Sequence, residues 1–174
     1  LPKGKTYCDH IQEQMFPVQS WGREYLAVKF MPRGKYVEDD WWRILAAEDG
    51  TRVTISGATK IVTTEKTLKA GEYFQIDSSE SFVITADKAI SVGHYILGQE
   101  EVTLPLDSIY SETFQTTKGC TTSTSSGNVG DPALSMAVPV AQFRNGYVFI
   151  TPDTYRYDFV TVLIKTAKQF PEIT

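Results

Sequence analysis

The sequence predicts an all-β protein, an antiparallel β-sandwich of jelly-roll type with one long Ser/Thr/Gly-rich loop. Three observations carry that expectation. Short segments alternate polar and apolar residues, as strands with one wet and one buried face do. Turn signals recur between them at roughly the 8–12-residue spacing of sandwich strands. No long stretch repeats apolar residues at the helical period. A single helical turn is expected over residues 9–16, where Pro17 ends it.

Residues 40–56 form the centre of the prediction. Trp42, Ile44 and Ala46 share one strand face, while Trp41, Arg43, Leu45 and Ala47 share the other. Val53 and Ile55 alternate with Arg52, Thr54 and Ser56 on a return arm. Asp49-Gly50 predicts a tight hairpin between the arms, since glycine accepts the positive φ such turns need. The Trp42 face is expected inward.

Upstream, residues 23–31 alternate well until Pro32-Arg33-Gly34-Lys35 breaks them. Downstream, strands are expected at 61–64, 73–76, 81–86 and 90–97, with turns at 69–72, 77–80 and 87–88. Ile90, Val92, His94 and Ile96 align on one face, which predicts His94 as a hydrogen-bonded core histidine. Residues 116–130 are rich in Thr, Ser and Gly and read as an exposed loop. Strands resume at 134–138, 147–151 and 159–165, and 166–174 reads as the start of a linker.

The totals fit this picture. A chain of 174 residues holds one domain with a real core, and residues 1–174 are read as one β-sandwich domain. Hydrophobic residues make up 41% and aromatics 12%, which excludes a disordered chain. Net charge is −4 with the signs interspersed, which argues against a nucleic-acid partner. No apolar run reaches the length of a membrane-spanning helix, so no membrane insertion is expected. The chain begins at Leu1 and is read as part of a longer polypeptide.

Two cysteines, Cys8 and Cys120, with only His10 and His94 make a poor metal set, and no metal is expected. A single Cys8–Cys120 disulfide is preferred over two free thiols. It would close a long loop worth about 4–5 kcal/mol in the chain-entropy model. Two cysteines in a β-rich, Thr/Ser-rich chain point to an oxidising, extracellular compartment.

Catalytic chemistry finds little support. Asp9, His10 and Glu13 offer an acid–base pair, but no nucleophile elbow surrounds any serine, so no catalytic residue is assigned. Glu38-Asp39-Asp40 and Glu48-Asp49 lack calcium-loop spacing and read as solvated turns. Gly127-Asn128-Val129-Gly130 lacks the lysine and helix of a phosphate loop, and no cofactor is expected. The aromatics say more. Trp41 and Trp42 are adjacent, so only one points inward. Trp41 and Arg43 share a strand face, and with Tyr155 and Tyr157 they form the candidate recognition surface. Indoles cover the apolar faces of sugars, and guanidinium groups donate to hydroxyls. The competing account pairs Arg43 with Asp40 or Glu48 and packs Trp41 under a loop.

Several segments together resemble a known family. They are Cys8-Asp9-His10-Ile11-Gln12-Glu13-Gln14-Met15-x-Pro17-Val18, Trp21-Gly22-x-Glu24-Tyr25, the run from Arg43 to Thr51, Leu68-x-Ala70-Gly71-Glu72 and Ile84-Thr85-Ala86-Asp87-Lys88-Ala89-Ile90. Gly130-Asp131-Pro132-Ala133-Leu134, Val138-Pro139-Val140-x-Gln142-Phe143 and Tyr147-x-Phe149-x-Thr151-Pro152 complete the set. In order, they resemble the N-terminal domain of the IgGFc-binding protein family, whose members often carry proline at the position of Ala89. The resemblance implies a β-rich, extracellular or cell-surface binding and adhesion module without established catalytic residues. It also implies that the module continues beyond Thr174. The leading expectation is therefore a non-catalytic module that recognises a glycan or glycoprotein. The alternatives are a β-sandwich carbohydrate-active hydrolase or lyase using Asp9, His10, Glu13 or His94, and a structural stalk of a larger adhesin.

Overall fold

The computed structural model describes residues 11–32, 37–96, 98, 110–116, 119–125, 132–151 and 160–164, with the backbone alone for 110–116 and 119–125. Among them are nine strands: β1 (Gly22–Ala27), β2 (Asp40–Ala46), β3 (Thr51–Ser56), β4 (Glu65–Leu68), β5 (Tyr73–Ser78), β6 (Phe82–Ile96), β7 (Tyr110–Thr116), β8 (Gly119–Ser125) and β9 (Ala133–Met136). Among the described residues helix is confined to two single turns, Val18–Ser20 and Val140–Gln142. The first of these follows Pro17, so the turn expected before that proline does not form within residues 11–16.

A seven-stranded, wholly antiparallel sheet is built around β6, which is 15 residues long. The sequence predicted two strands here with a turn at Asp87-Lys88; the chain instead runs through without reversing. Along one edge of β6 lie β2, opposite residues 90–95, and β3, opposite residues 83–86. Along the other edge lie β9, at its C-terminal end, and β1. Outside β2 comes β5, and outside β3 comes β4.

This topology corrects the predicted hairpin. Both arms exist at the expected residues and with the expected alternation, but β2 and β3 do not pair with each other. They run end to end along the same edge of β6. Asp49-Gly50 bends a continuing path instead of reversing it, with Gly50 at φ 68°. Ala46 lies opposite Ile90 and Val53 opposite Ala86, so the β2–β3 path carries three extra residues across the step (53 − 46 against 90 − 86). Excess residues on one side of a pairing curl a sheet, as bulges do.

The neighbouring chains are tied at the same level. Gly71, at φ 76°, donates its N–H to the Ala46 carbonyl at 3.0 Å, and Ala46 N–H donates to the Glu72 carbonyl at 3.1 Å. Ala70 N–H donates to Asp49 Oδ1 at 2.9 Å. Arg52 N–H donates to Asp87 Oδ1 at 2.8 Å, and Lys88 Nζ donates to the Asp49 carbonyl. On the far edge the register of β1 against β6 shifts between Gly22 and Glu24. There the buried Tyr25 hydroxyl accepts from Gly22 N–H at 3.0 Å and donates to the Ile90 carbonyl at 2.6 Å.

The curled sheet closes on one core of Tyr25, Ala27, Trp42, Ile44, Ala46, Val53, Ile55, Leu68, Ile76, Phe82, Ile84, Ile90 and Val92. This is the all-β, sandwich-like arrangement expected, with the Trp42 face inward. Each large aliphatic here is worth about 1.5–3 kcal/mol of burial. Trp42, near the start of β2, and Phe82, at the start of β6, meet edge to face at 5.6 Å between centroids.

The polar stretch read as a loop is also structured. Residues 119–125 form β8, which pairs with β7 as a separate two-stranded sheet. Thr dominates that stretch, and its β-branched side chain favours extended backbone whether or not an apolar face is available. Cys120 lies on β8 opposite Gln115. Cys8 lies outside the described residues, and with it the expected disulfide. Further on, the strand expected at 61–64 forms at Glu65–Leu68 instead, while Ile61 packs against the core. Residues 147–151 and 160–164 are not strands, and Val148, Ile150 and Val162 are exposed.

Candidate functional site

The solvent-facing side of β5–β2–β6 is set by pairing and parity. On β2 the even residues Trp42, Ile44 and Ala46 enter the core, which leaves Trp41, Arg43 and Leu45 on the outside, partly buried. The β5 register puts Asp77 beside Trp41, Gln75 beside Arg43 and Tyr73 beside Leu45. On the β6 side Tyr95 stands beside Trp41 and Gly93 beside Arg43. Beyond β6, Leu134 stands beside Tyr95 and Met136 beside Gly93.

Arg43 is the hub of this face. Its Nη2 donates to Gln75 Oε1 at 2.9 Å. Its guanidinium carbon lies 4.6 Å from the Tyr73 ring centroid and 5.3 Å from that of Tyr95. Both distances are within cation–π reach. Gly93 lies beneath this arrangement, where a Cβ would meet Leu134 Cδ1 at 3.4 Å and Tyr95 Cε2 at 3.5 Å, both ordinary contacts. The Tyr95 side chain therefore leans over a position that carries none. Arg43 thus bonds neither Asp40 nor Glu48, as the competing reading had it. Tyr73 and Tyr95 join Trp41 and Arg43 here, and only the strand register reveals it.

A second polar group lies on the other side of the same strands. Asp40 is fully buried, so the solvated acidic turn expected over 38–40 is corrected: Glu38 is buried as well, and only Asp39 is exposed. Asp40 Oδ2 accepts from Phe30 N–H at 3.0 Å and lies 2.7 Å from His94 Nε2. Lys29 Nζ forms an ion pair with Oδ1 at 2.8 Å and donates to the Phe30 carbonyl at 3.1 Å. The His94 ring is stacked between Trp42, at 3.5 Å, and Phe30, at 4.1 Å.

Burial is the largest influence on both titrating groups. It pulls the Asp40 carboxyl up, but the hydrogen bonds from His94, Lys29 and the Phe30 amide outweigh it, and the pKa falls below its ordinary 3.8. For His94 burial wins over the attraction of Asp40, so its pKa falls below 6.5. His94 is therefore neutral at pH 7, with the proton on Nε2 donated to an ionised Asp40. This is the hydrogen-bonded core histidine the sequence predicted. Both faces of its ring are covered, and it is 5% exposed, which leaves a substrate no approach.

Glu13 is exposed ahead of β1, and Asp9, His10, Tyr155 and Tyr157 lie outside the described residues. Among the described residues no three His, Cys, Asp or Glu side chains are grouped to hold a metal ion.

A family model described as IgGFc binding protein matches residues 1–174, the whole chain. The chain belongs to the IgGFc binding protein family. No curated protein and no solved structure matches it. IgGFc binding protein is a family of secreted, typically extracellular binding modules. Among the described residues no helix is long and apolar enough to cross a membrane. Several of the family segments noted in the sequence come together in space. Arg43 to Thr51, Leu68 to Glu72 and Ile84 to Ile90 all meet at the bend of the sheet. Trp21 to Tyr25 and Val138 to Phe143 meet where Gly22 abuts Pro139 and Gln142 Nε2 donates to the Ser20 carbonyl at 2.6 Å. These IgGFc binding protein segments hold the fold, and they reach the outer aromatic face at Arg43, Leu45 and Leu134.

Proposed function

We propose that the chain is a non-catalytic binding and adhesion module of a secreted or cell-surface protein, recognising a glycan or glycoprotein on the outer face of β5–β2–β6. The observation that carries this reading is the group of Trp41, Arg43, Tyr73 and Tyr95 on that face, away from the core. Tyr73 is exposed, Trp41 and Tyr95 are partly so, and Trp, Tyr and Arg are the residue types enriched where binding energy concentrates. Their ring faces suit the C–H faces of sugars, while Arg43, Gln75 and Asp77 supply donors and acceptors for hydroxyls. The enzymatic alternative has its best acid–base pair in Asp40 and His94, whose enclosure speaks against it.

A glycan array probed with the 174-residue chain tests the reading. Trp41→Ala should abolish the signal while leaving the melting temperature within a few degrees, because Trp41 is only partly buried. Full binding by that variant would move the ligand site elsewhere. A loss of about 3–5 kcal/mol, the range for a core aromatic, would make Trp41 part of the scaffold.

A further inference from the structure

We infer that the ligand of this face carries an anionic group, a sugar carboxylate or sulfate, and that Arg43 receives it. The inference rests on the outer face of β5–β2–β6 being the recognition surface and adds the charge of what it binds.

Among the described residues Arg43 faces no acidic side chain across the sheet. Its row across the sheet is Gln75, Arg43, Gly93 and Met136, none of them acidic. No ion pair to Arg43 occurs among the described residues. Asp77 is the acidic residue nearest in register on this face, and it stands one row away beside Trp41. Of the five N–H donors of a guanidinium, one is given to Gln75. Nε is buried with no hydrogen-bond partner among the described residues, so the ends of the fork are the groups left to meet a ligand.

The tyrosines orient the cation without neutralising it. Rings at 4.6 and 5.3 Å restrain the guanidinium and exclude water from its flanks. They cannot accept the paired, planar hydrogen bonds that the fork makes best. A carboxylate or a sulfate can. An arginine that served only to cover the sheet could take a carboxylate from the residue facing it on β6, and that residue is Gly93. The Tyr95 ring leans over the position instead. Restraint before binding lowers the ordering cost of recognition, the usual reason an arginine is fixed in advance. Uncharged hydroxyls would leave the charge of Arg43 unanswered in a half-dry site.

The test uses the intact chain with three probes: lactose, sialyllactose and a sulfated N-acetyllactosamine. Sialyllactose, the sulfated sugar or both should bind about 10–100-fold more tightly than lactose, the range expected of charge-assisted over neutral hydrogen bonds. The margin should narrow as sodium chloride rises from about 50 to about 300 mM. Which acidic probe wins distinguishes a carboxylate from a sulfate. Arg43→Gln should erase the preference while keeping weak lactose binding, and Arg43→Lys should restore only part of it, since lysine lacks the fork. Far-ultraviolet spectra of both variants check the fold. Equal affinity for all three probes, or a preference that survives Arg43→Gln, overturns the anionic assignment and leaves the recognition face standing. Binding of none of the probes, with glycan-array signals indifferent to Trp41→Ala, overturns both.

Discussion

Trp41 and Trp42 are consecutive residues with opposite surroundings, and truncating Trp42 bears on folding where Trp41 bears on recognition. Trp42 is 2% exposed and holds Phe82 and the His94 ring, so Trp42→Ala should cost about 3–5 kcal/mol in urea unfolding. A loss under about 1 kcal/mol would mean the core closes without it. Asp40 is the other residue on which much depends. Asp40→Asn keeps the shape but leaves Lys29 a buried cation without its counter-charge, which should also cost about 3–5 kcal/mol. The two sites differ in how far sequence reveals them. The inward face of Trp42 and the core place of His94 follow from alternation along one strand. The role of Asp40 does not, because its partners are 11 and 54 residues away (40 − 29 for Lys29) and the adjacent Glu38 and Asp39 disguise it as a charge run. Tyr73 and Tyr95 stay hidden for the same reason: each becomes a neighbour of Arg43 only through a register that spans β5, β2 and β6.

Among the elements, the bend is where local signals and long-range pairing diverge. An Asp-Gly pair supplies positive φ, and that geometry serves a reversing hairpin and a kinked continuing strand equally well. Which of the two forms depends on β6, drawn from residues 82–96, and nothing within 40–56 encodes it. Asp87-Lys88 misleads in the mirror sense. Two charges inside a strand read as a turn, yet they bond Arg52 N–H and the Asp49 carbonyl across the bend. Substitutions separate the two demands made on glycine here. Gly71 has φ 76° and open space where a methyl group would stand, so Gly71→Ala should cost about 1–2 kcal/mol from backbone strain alone. Gly22 has no such φ, but a Cβ would fall 2.2 Å from Pro139 Cβ. Gly22→Ala should therefore cost about 1–3 kcal/mol by overpacking, and should loosen the Val140–Gln142 turn from β1. Urea midpoints measure both, and an unchanged midpoint in either variant would contradict its cause.

For the molecule as a whole, acid should act in two stages of the same sign. Folding holds the His94 pKa below 6.5, so the unfolded chain takes up that proton first. Its contribution is complete above 6.5 and is lost as pH falls from there through the folded value. Asp40, depressed below 3.8, contributes fully above that value and loses its share as pH falls further. Urea midpoints at about pH 7.5, 5 and 3 should fall in that order. His94→Gln should flatten the upper stage, and a midpoint that rises on acidification would contradict the scheme. A different consequence follows from the length of β6. It is bonded to β1, β2, β3 and β9, two strands along each edge, and so belongs to both halves of the curled sheet. Neither half can be peeled away while the other keeps its ladder. The amide protons of Val92 and Ile84 should exchange with deuterated solvent at one common slow rate, set by opening of the entire sheet, while those of the Val18–Ser20 turn exchange freely.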